Sequence, residues 1–568
     1  MKKNKLYTFA AAILLASGLV SCGDSFLTEE PASSVPITGY YTDNAKMIEA
    51  MAAAYDPMQW FDYYNGWFPL NLAWDAASDD IYPGGSDTSD QGYLHEISCS
   101  PTNDIKGAWT VAYSGINRSI RLMDNAEEAN ISEADKKSYN AEGRVLRDWY
   151  YLVLWKTWGN VPFYTENLTF PYIAEQLKAD EVYNNMVTDL EEVLDSKILP
   201  MKRELTWAGR MTQAAAAMIY ADYVMYQKDE SRYPKALGYV KEVIASGQYK
   251  LVTDYDDLFT YATEWSDEII LDINYISAGG KRGWGDAGAC GGTVIPAMIG
   301  VDGLTYVGGQ ETGHGPYTEF EGGWGFCVIT RDAYEAFEPG DIRRDVAVLN
   351  LDTYQEEMMN RGIAVNYTGR YQNTGYFLRK YLGRPGGKAD QAGDADLNWE
   401  NNFHLYRYAE TLLVAAELAW RTNSGEAQGY FDQVRERAGL SPKAISEEAI
   451  MQERRVELLG EGKRYFDLVR FGKAAEVLKP GGGAIYVTKD AHRFVCTDGT
   501  VTQDKPKGEV KTNADGKPLN LVINGELKWT GKGAAIPQRP QWTENKKYLP
   551  IPQIEIESSH GATVQNPY

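Results

Sequence analysis

LYRYAETLLVAAELAWR (residues 405–421) precedes GEAQGYFDQVRER (425–437), and the two segments predict a pair of packed helices. The first segment carries alanine at four positions, where a small side chain lets two helix axes approach closely: Ala409, Ala415, Ala416 and Ala419. Further helices are predicted over 446–460 and 463–472. Successive helix pairs of this kind are typical of tetratricopeptide-type scaffolds, although the repeat consensus of about 34 residues is not cleanly met.

Similar helices are predicted in the first half of the chain, over 106–129, 179–195, 211–228 and 233–246. A long helix begins after Ser132, which forms a capping-box-like start with Asp135, and ends at the Gly159–Pro162 stop. Thr42 is the predicted cap of the first helix, which we expect to break at Pro57. The first half therefore predicts the same paired-helix scaffold as the later segments.

The middle of the chain, from about 276 to 400, departs from these helical patterns. It follows a predicted strand over 268–275 and is rich in Gly, Tyr, Asp and Asn; an irregular insert of this length is usually functional. The C-terminal part, about 476–568, predicts short strands with turns at 513–516 and 524–525. We therefore predict one mostly α domain over 40–568, made of a helical scaffold (about 40–275 and 400–475), the loop-rich insert and the C-terminal strands.

The first residues of the chain predict an export signal. A lysine-rich leader precedes residues 9–20, which are apolar or small and too few to span a bilayer, since a span takes about 20 residues. The segment closes on Leu19-Val20-Ser21-Cys22, which resembles the bacterial lipoprotein signal, whose cysteine is acylated and becomes the first mature residue. We expect 1–21 to be removed, Cys22 to carry the lipid and 22–39 to act as a tether. A plain secreted protein with an incidental cysteine is the alternative.

The composition excludes some functions and favours others. The chain has 568 residues, 44% of them hydrophobic, and a formal net charge of −23, so its field repels phosphate backbones and we expect no nucleic-acid partner. Its 39 tyrosines and 15 tryptophans exceed what a core selects, and exposed rings suit sugar or peptide recognition. The cysteines form no CxxC pair. Cys290 and Cys327 flank a glycine-rich region. They could form a disulfide, or they could remain two buried thiols, and the sequence leaves both alternatives open.

The sequence carries no recognisable catalytic or metal-binding motif. GWGDAG (283–288) has the glycine spacing of a dinucleotide site, but no helix opens after it, so we reject that interpretation. The five histidines are scattered singly, and no nucleophile elbow is present. A carboxylate pair for glycoside hydrolysis stays open among the many acids. We predict neither catalytic residues nor a cofactor; a structural calcium ion on acidic loops such as Asp79-Asp80 has no calcium-loop motif to support it.

Three groups of motifs resemble the SusD/RagB family of outer-membrane nutrient-binding lipoproteins. They are AEGRVLRDWYY (141–151) continuing to WGNVP (158–162), QERRVEL (452–458) continuing to EGKRYFDLVR (461–470), and YLPIPQIEI (548–556) with the QNPY end (565–568). The order and spacing hold over nearly the whole mature chain. Gly143 replaces a usual alanine, and the glycine that normally precedes the last tyrosine is missing.

The resemblance implies a fold and a function. Family members build one α-rich domain on four tetratricopeptide-like helix pairs and cap a SusC-like TonB-dependent transporter at the cell surface, where they are lipid-anchored to the outer membrane. They deliver oligosaccharide, or in some branches peptide, and are not enzymes. Four charged residues of the second motif group, Arg454, Arg455, Glu457 and Glu461, lie at helical spacings, which indicates framework ion pairs rather than catalysis.

Ligand-binding candidates lie in the loop after the first aromatic cluster and in the insert: Asp80, Tyr82, Trp284, Tyr306 and Trp324. Trp284 and Trp324 each lie among glycines, which cannot shield a ring, so the sequence predicts either an exposed ring or, as the alternative, a ring that packs its loop onto the helical core. Trp60, Trp67 and Trp74 are expected in the core. The leading hypothesis is a glycan-binding importer subunit; a peptide-binding subunit, a surface glycoside hydrolase and a structural helical adaptor are the alternatives.

Overall fold

The computed structural model describes residues 40–63, 69–86, 94–284, 291–308, 318–361, 363–388, 393–480, 494–496, 521–523 and 539–568. The expected signal peptide, the acylated Cys22 and the tether at 22–39 lie outside these residues, as do Cys290 and the predicted turns at 513–516 and 524–525. Among the described residues, no helix is long and apolar enough to cross a bilayer.

The scaffold is a series of helices that pack against their neighbours. They are α1 (Asn44–Trp60), α2 (Leu70–Ala77), α3 (Lys106–Glu128), α4 (Glu133–Trp158), α5 (Ala179–Ser196), α6 (Gln213–Gln227) and α7 (Tyr233–Ala245). Helix α3 packs on both α1 and α4, α5 on α4 and α6, and α6 on α7. The prediction of a mostly α fold is confirmed.

The later helices extend this scaffold after a short strand. They are α12 (Tyr408–Arg421), α13 (Ala427–Arg437), α14 (Glu447–Glu457), α15 (Arg464–Arg470), α16 (Ala474–Val477) and α17 (Gln553–Ser558). Helix α12 packs against α13 and also against α7, which joins the two helical blocks. The four predicted alanines are all buried at these contacts. The prediction of helix from residue 405 is wrong by three residues, because Phe403–Arg407 forms strand β10 and pairs with β4 (Ile269–Ile273).

Two details of α1 differ from the sequence prediction. Asp43, not Thr42, caps the helix, since its side chain accepts a hydrogen bond from the Lys46 amide at 3.0 Å. The helix also runs through Pro57, which lacks the N–H that would bond the Ala53 carbonyl. The Arg118 guanidinium supplies that bond from α3, with 3.0 Å between its Nη1 and the Ala53 oxygen. A side chain from another helix therefore satisfies the acceptor that proline leaves free.

Both ends of α4 form as predicted. Ser132 accepts a hydrogen bond from the Asp135 amide at 3.1 Å and donates to its carboxylate at 2.7 Å. At the other end, Gly159 adopts φ 69°, a conformation that side chains disfavour, and its amide bonds the Trp155 carbonyl. Pro162 then lies in the short strand β2 (Val161–Pro162), which pairs with β3 (Gln176–Leu177).

The insert contains more regular structure than its composition predicts. Short helices α8 (Ile295–Ile299), α9 (Arg331–Glu335), α10 (Arg343–Ala347) and α11 (Leu351–Asn360) alternate with strands β5 (Thr305–Gly308), β6 (Phe326–Ile329), β7 (Val348–Asn350), β8 (Ile363–Asn366) and β9 (Tyr376–Leu378). An antiparallel sheet with the order β1-β6-β9-β7 joins the insert to β1 (Ile81–Gly84), and β5 pairs with β8. Farther along, β11 (Phe494–Cys496) pairs with β12 (Leu521–Ile523).

A cluster of buried ion pairs holds the insert against the scaffold. Arg407 on β10 is fully buried and donates to Glu268 at 2.8 Å, to Glu457 at 2.9 Å and to Glu461 at 2.8 Å. Arg343 of the insert reaches Glu457 at 2.9 Å. Burial opposes ionisation of Glu457, yet the surrounding arginines outweigh it and hold the pKa of that carboxyl well below its ordinary value.

The other charged residues of the family-like motif are also engaged inside the fold. Arg454 pairs with Asp467 at 2.8 Å and with Glu410 at 3.2 Å. Arg455 pairs with Asp80 at 2.6 Å. These contacts, together with the bonds to Glu457 and Glu461, place all four predicted framework residues in structural ion pairs.

Replacing Glu457 with glutamine should destabilise the fold by about 3–5 kcal/mol, because it leaves buried guanidinium groups without a charge partner. Glu192→Gln is the matched control, since Glu192 pairs with Arg144 at the surface and such pairs contribute about 0–1 kcal/mol. Urea unfolding followed by circular dichroism measures both variants. Equal midpoints for the two variants would contradict a central role for the cluster.

Candidate functional site

Two of the predicted ligand-binding residues, Trp284 and Trp324, meet at the surface of the insert. Their ring centroids are 5.5 Å apart with an interplanar angle of 32°. Trp284 is 54% exposed, and Trp324 is half-buried against the core. We call this pair the two-tryptophan platform. It presents apolar ring faces of the kind that stack on the C–H face of a sugar.

Asp394 fixes the orientation of Trp284. The indole Nε1–H donates to one Asp394 oxygen at 2.7 Å, while the other oxygen accepts from the Asp396 amide at 3.0 Å. The Asp394 amide in turn donates to the Arg282 carbonyl at 3.0 Å. Both carboxylate oxygens are therefore engaged, and the ring is held by a charge-assisted hydrogen bond rather than by packing alone.

A buried ion pair attaches this loop to the scaffold. Arg282 and Asp62 are both fully buried, and the Arg282 Nη1 lies 2.8 Å from the carboxylate. Asp62 follows α1 and also accepts hydrogen bonds from the Thr293 hydroxyl at 2.7 Å and the Val294 amide at 2.8 Å. Trp284 thus stands two residues beyond a side chain that cannot move without leaving a buried charge unpaired.

Backbone contacts hold Trp324. Its amide donates to the Ala297 carbonyl of α8 at 2.8 Å, and the Gly325 amide donates to the Gly300 carbonyl at 2.8 Å. A Cβ atom on Gly323 would lie 2.3 Å from the Ala297 oxygen, so only glycine permits this approach. The glycines around Trp324 therefore bring its loop against α8, and the ring is half-buried, between the two predicted alternatives of exposure and packing on the core.

Charged side chains from the segments that carry or hold the two tryptophans also pair with one another. Lys388 lies 3.2 Å from an Asp396 oxygen and 3.4 Å from a Glu321 oxygen. Glu321 is three residues from Trp324, and Asp396 is two residues from Asp394. An ammonium group and several carboxylates thus flank two aromatic faces, which is the combination that binds sugar hydroxyls and sugar rings together.

Tyr306, the third predicted ligand-binding residue of the insert, makes its hydrogen bonds within the insert. It lies on β5, half-buried, with its hydroxyl 3.1 Å from that of Tyr354 and accepting from the Phe320 amide at 3.1 Å. Tyr354 also donates to Glu319 at 3.0 Å. The Tyr306 hydroxyl therefore contacts Tyr354 and the backbone of Phe320, four residues before Trp324.

The predictions for Asp80 and Tyr82 are corrected. Asp80 is 1% exposed, and its carboxylate bonds the Arg455 guanidinium; Tyr82 is buried in β1 with its ring edge-on to His95. Neither side chain is available to a ligand. The neighbouring Asp79 pairs with Arg464 at 2.8 Å, so this acidic pair is already neutralised by arginines and does not favour calcium. In the described part of the chain, no group of three or more His, Cys, Asp or Glu side chains is arranged so that it could hold a metal ion.

The two remaining side-chain predictions concern the cysteines and the first aromatic cluster. Cys327 is a buried free thiol whose pKa burial raises well above its ordinary value, and its predicted partner Cys290 lies outside the described residues. Trp74 is in the core as expected, stacked on Tyr465 at 5.2 Å. Trp60 is half-buried with Arg118 over its ring, and Trp67 lies outside the described residues.

Sequence reasoning missed Asp394, Glu321 and Lys388. The bond between Trp284 and Asp394 joins residues that are 110 positions apart, and no motif surrounds either of them. The only available signal was the local density of acids between residues 390 and 396. That signal marks a loop but does not tell which tryptophan it contacts.

Residues 268–568 match the model of the SusD family. Surface glycan-binding protein A from Bacteroides thetaiotaomicron, solved in complex with laminarihexaose, is 37% identical, with 92% of this chain and 100% of that chain covered and a TM-score of 0.75. A laminarin-binding SusD-like protein is 28% identical, with coverages of 93% and 100% and a TM-score of 0.73. A SusD-like protein from Bacteroides ovatus is 25% identical over 495 residues, 82% of each chain.

The chain therefore belongs to the SusD family, and the resemblance inferred from its three groups of motifs is confirmed. The matched regions include both tryptophans of the platform and the buried cluster around Arg407.

Proposed function

We propose that this protein binds a neutral, β-1,3-linked glucan of the laminarin class on the two-tryptophan platform and passes it to a TonB-dependent transporter. The observation that carries the proposal is the contact between Trp284 and Trp324, fixed by Asp394 and flanked by charged side chains. Two relatives, one solved in complex with laminarihexaose and one described as laminarin-binding, support the choice of glycan.

The charge of the chain supports a neutral ligand. A formal net charge of −23 repels acidic polysaccharides, whereas an uncharged glucan gains ring stacking and hydroxyl hydrogen bonds without that penalty. Lys388, near the platform, is paired with Asp396 and Glu321, so carboxylates already balance its charge.

The proposal also assigns the place of action. Acylation of Cys22 would fix the protein to the outer membrane, and residues 22–39 would tether the domain at the cell surface beside a SusC-like transporter. A tethered binder raises the local concentration of captured ligand at the transporter mouth. The division into signal peptide, tether and one domain over 40–568 belongs to this proposal, as does the absence of catalysis.

Affinity electrophoresis against laminarin, starch, mannan and pectin, with an assay for newly released reducing ends, tests the function. We expect retardation on laminarin, none on the acidic pectin, and no release of sugar. Release of reducing ends would replace the proposal with a glycoside hydrolase. Retardation on no glycan would favour peptide capture or a structural adaptor.

Trp284→Ala and Trp324→Ala should each lower the affinity for laminarihexaose at least tenfold, which corresponds to about 1.4 kcal/mol, because each removes a stacking face. Trp207→Ala is the control, since Trp207 is an exposed tryptophan that lies in a short turn of the scaffold and not in the insert. Isothermal titration calorimetry measures all three. Unchanged affinity in both platform variants would remove this site.

Asp394→Ala should weaken binding about three- to tenfold, less than Trp284→Ala, because it frees the indole without removing it. Asp257→Ala, which removes an exposed carboxylate from another segment, should bind as the unmodified protein does. The same titrations measure both variants. A loss in Asp394→Ala that matched the loss in Asp257→Ala would show that the hydrogen bond to Trp284 does not orient the ring.

A further inference from the structure

A second aromatic groove lies on the scaffold, and it shares no residue with the platform. Its floor is formed by Trp109 and Tyr113 of α3 together with Tyr164, and its volume is about 250 Å³. Tyr113 and Tyr164 are stacked, with ring centroids 6.1 Å apart and an interplanar angle of 16°. Tyr172 forms part of the rim and is 69% exposed.

The lining of the groove also includes polar groups. Helix α17 contributes Glu555, Ser558 and Ser559 to the groove. Burial raises the pKa of the Glu555 carboxyl, and a hydrogen bond with Trp109 opposes that shift. Aromatic rings together with a carboxyl and hydroxyl groups match a ligand that has apolar ring faces and many hydroxyl groups.

Hydrogen bonds within the protein fix the loop that lines the groove. The loop between β2 and β3 is fastened to α3 by Asn167, which donates to Asp124 at 2.6 Å and accepts from Asn117 at 3.1 Å. Gln176 joins the same loop to the C-terminal segment through two hydrogen bonds with the Val564 backbone, at 2.8 and 3.0 Å. Such fixed walls spare a ligand the entropy cost of ordering them.

Two exposed aromatic side chains lie at the rim of the groove and next to it. Phe170 is 85% exposed, and its ring meets that of Tyr172 edge to face at 6.2 Å. A stable protein interface buries about 800 Å² per partner. At about 250 Å³, this groove lies just below the range of about 300–1,000 Å³ that is typical of small-molecule sites. One or two sugar rings fit it better than a protein surface does.

We infer that the groove lined by Trp109, Tyr113, Tyr164, Tyr172 and Glu555 is a second binding site for the same neutral glucan. This inference rests on the proposed function, because the platform and the groove would hold one polysaccharide at two points. Two sites on one chain raise the avidity for a polymer without any new contact at either site. An oligosaccharide too short to reach both sites gains nothing from the pairing.

Titration of laminarihexaose into the Trp284→Ala, Trp324→Ala double variant tests the groove directly. The double variant should retain weak binding, and adding Tyr172→Ala should remove it. Tyr172→Phe keeps the ring face and should restore the weak binding, which separates a lost contact from a misfolded chain. Complete loss of binding in the double variant, before Tyr172 is changed, would overturn the inference.

Affinity electrophoresis on laminarin supplies the second measurement. In the otherwise unmodified chain, Tyr172→Ala should raise the apparent dissociation constant for the polymer at least threefold, and Trp207→Ala should leave it unchanged. If the unmodified chain binds laminarin and Tyr172→Ala has no effect, the groove is not a glucan site while the proposed function stands. If the unmodified chain does not bind laminarin, the proposed function and the groove fall together.

Discussion

Arg407 has no contact with solvent, and its guanidinium donates to three buried carboxylates, Glu268, Glu457 and Glu461. Moving such a charge out of water is costly unless its partners are in place, so the segments that carry them must assemble together. Glu268 precedes β4, Arg407 ends β10, and Glu457 ends α14. Arg343 and Lys380 of the insert share the same acceptors. The insert is therefore held to the helical scaffold by charge as well as by packing.

A second buried ion pair holds the candidate site to the scaffold in the same way. Arg282 and Asp62 join the loop of Trp284 to the end of α1, just as Arg343 joins α10 to α14. Within the described residues, Asp394 holds the ring of Trp284 through a hydrogen bond, and the backbone of Trp324 is hydrogen-bonded to α8. Preorganised rings suit a ligand that offers weak individual contacts, because little entropy is lost in ordering the site.

The sequence predicted the helices well where local signals dominate. The Ser132 cap and the Gly159 stop of α4 are local, and both formed as expected. The predictions failed where a distant residue intervenes: Arg118 lets α1 continue through Pro57, and the pairing with β4 turns residues 403–407 into a strand. Neither contact leaves a pattern in the residues nearby.

The same distinction applies to the site. The abundance of tryptophan among glycines pointed to Trp284 and Trp324, but their contact and the support from Asp394 depend on the tertiary fold. The sequence around Asp80 is typical of an exposed loop. The side chain is nevertheless buried, because it pairs with Arg455, which lies 375 residues later in the chain. An acidic side chain beside a turn is therefore a poor guide to a ligand site when the chain also carries a helix rich in arginine.

A crystal structure of the protein with laminarihexaose tests the central claim most directly. Glucose rings stacked at van der Waals distance, about 4 Å, on the faces of Trp284 and Trp324 are the predicted result. Well-ordered sugar bound elsewhere, with both indole faces bare, would contradict it.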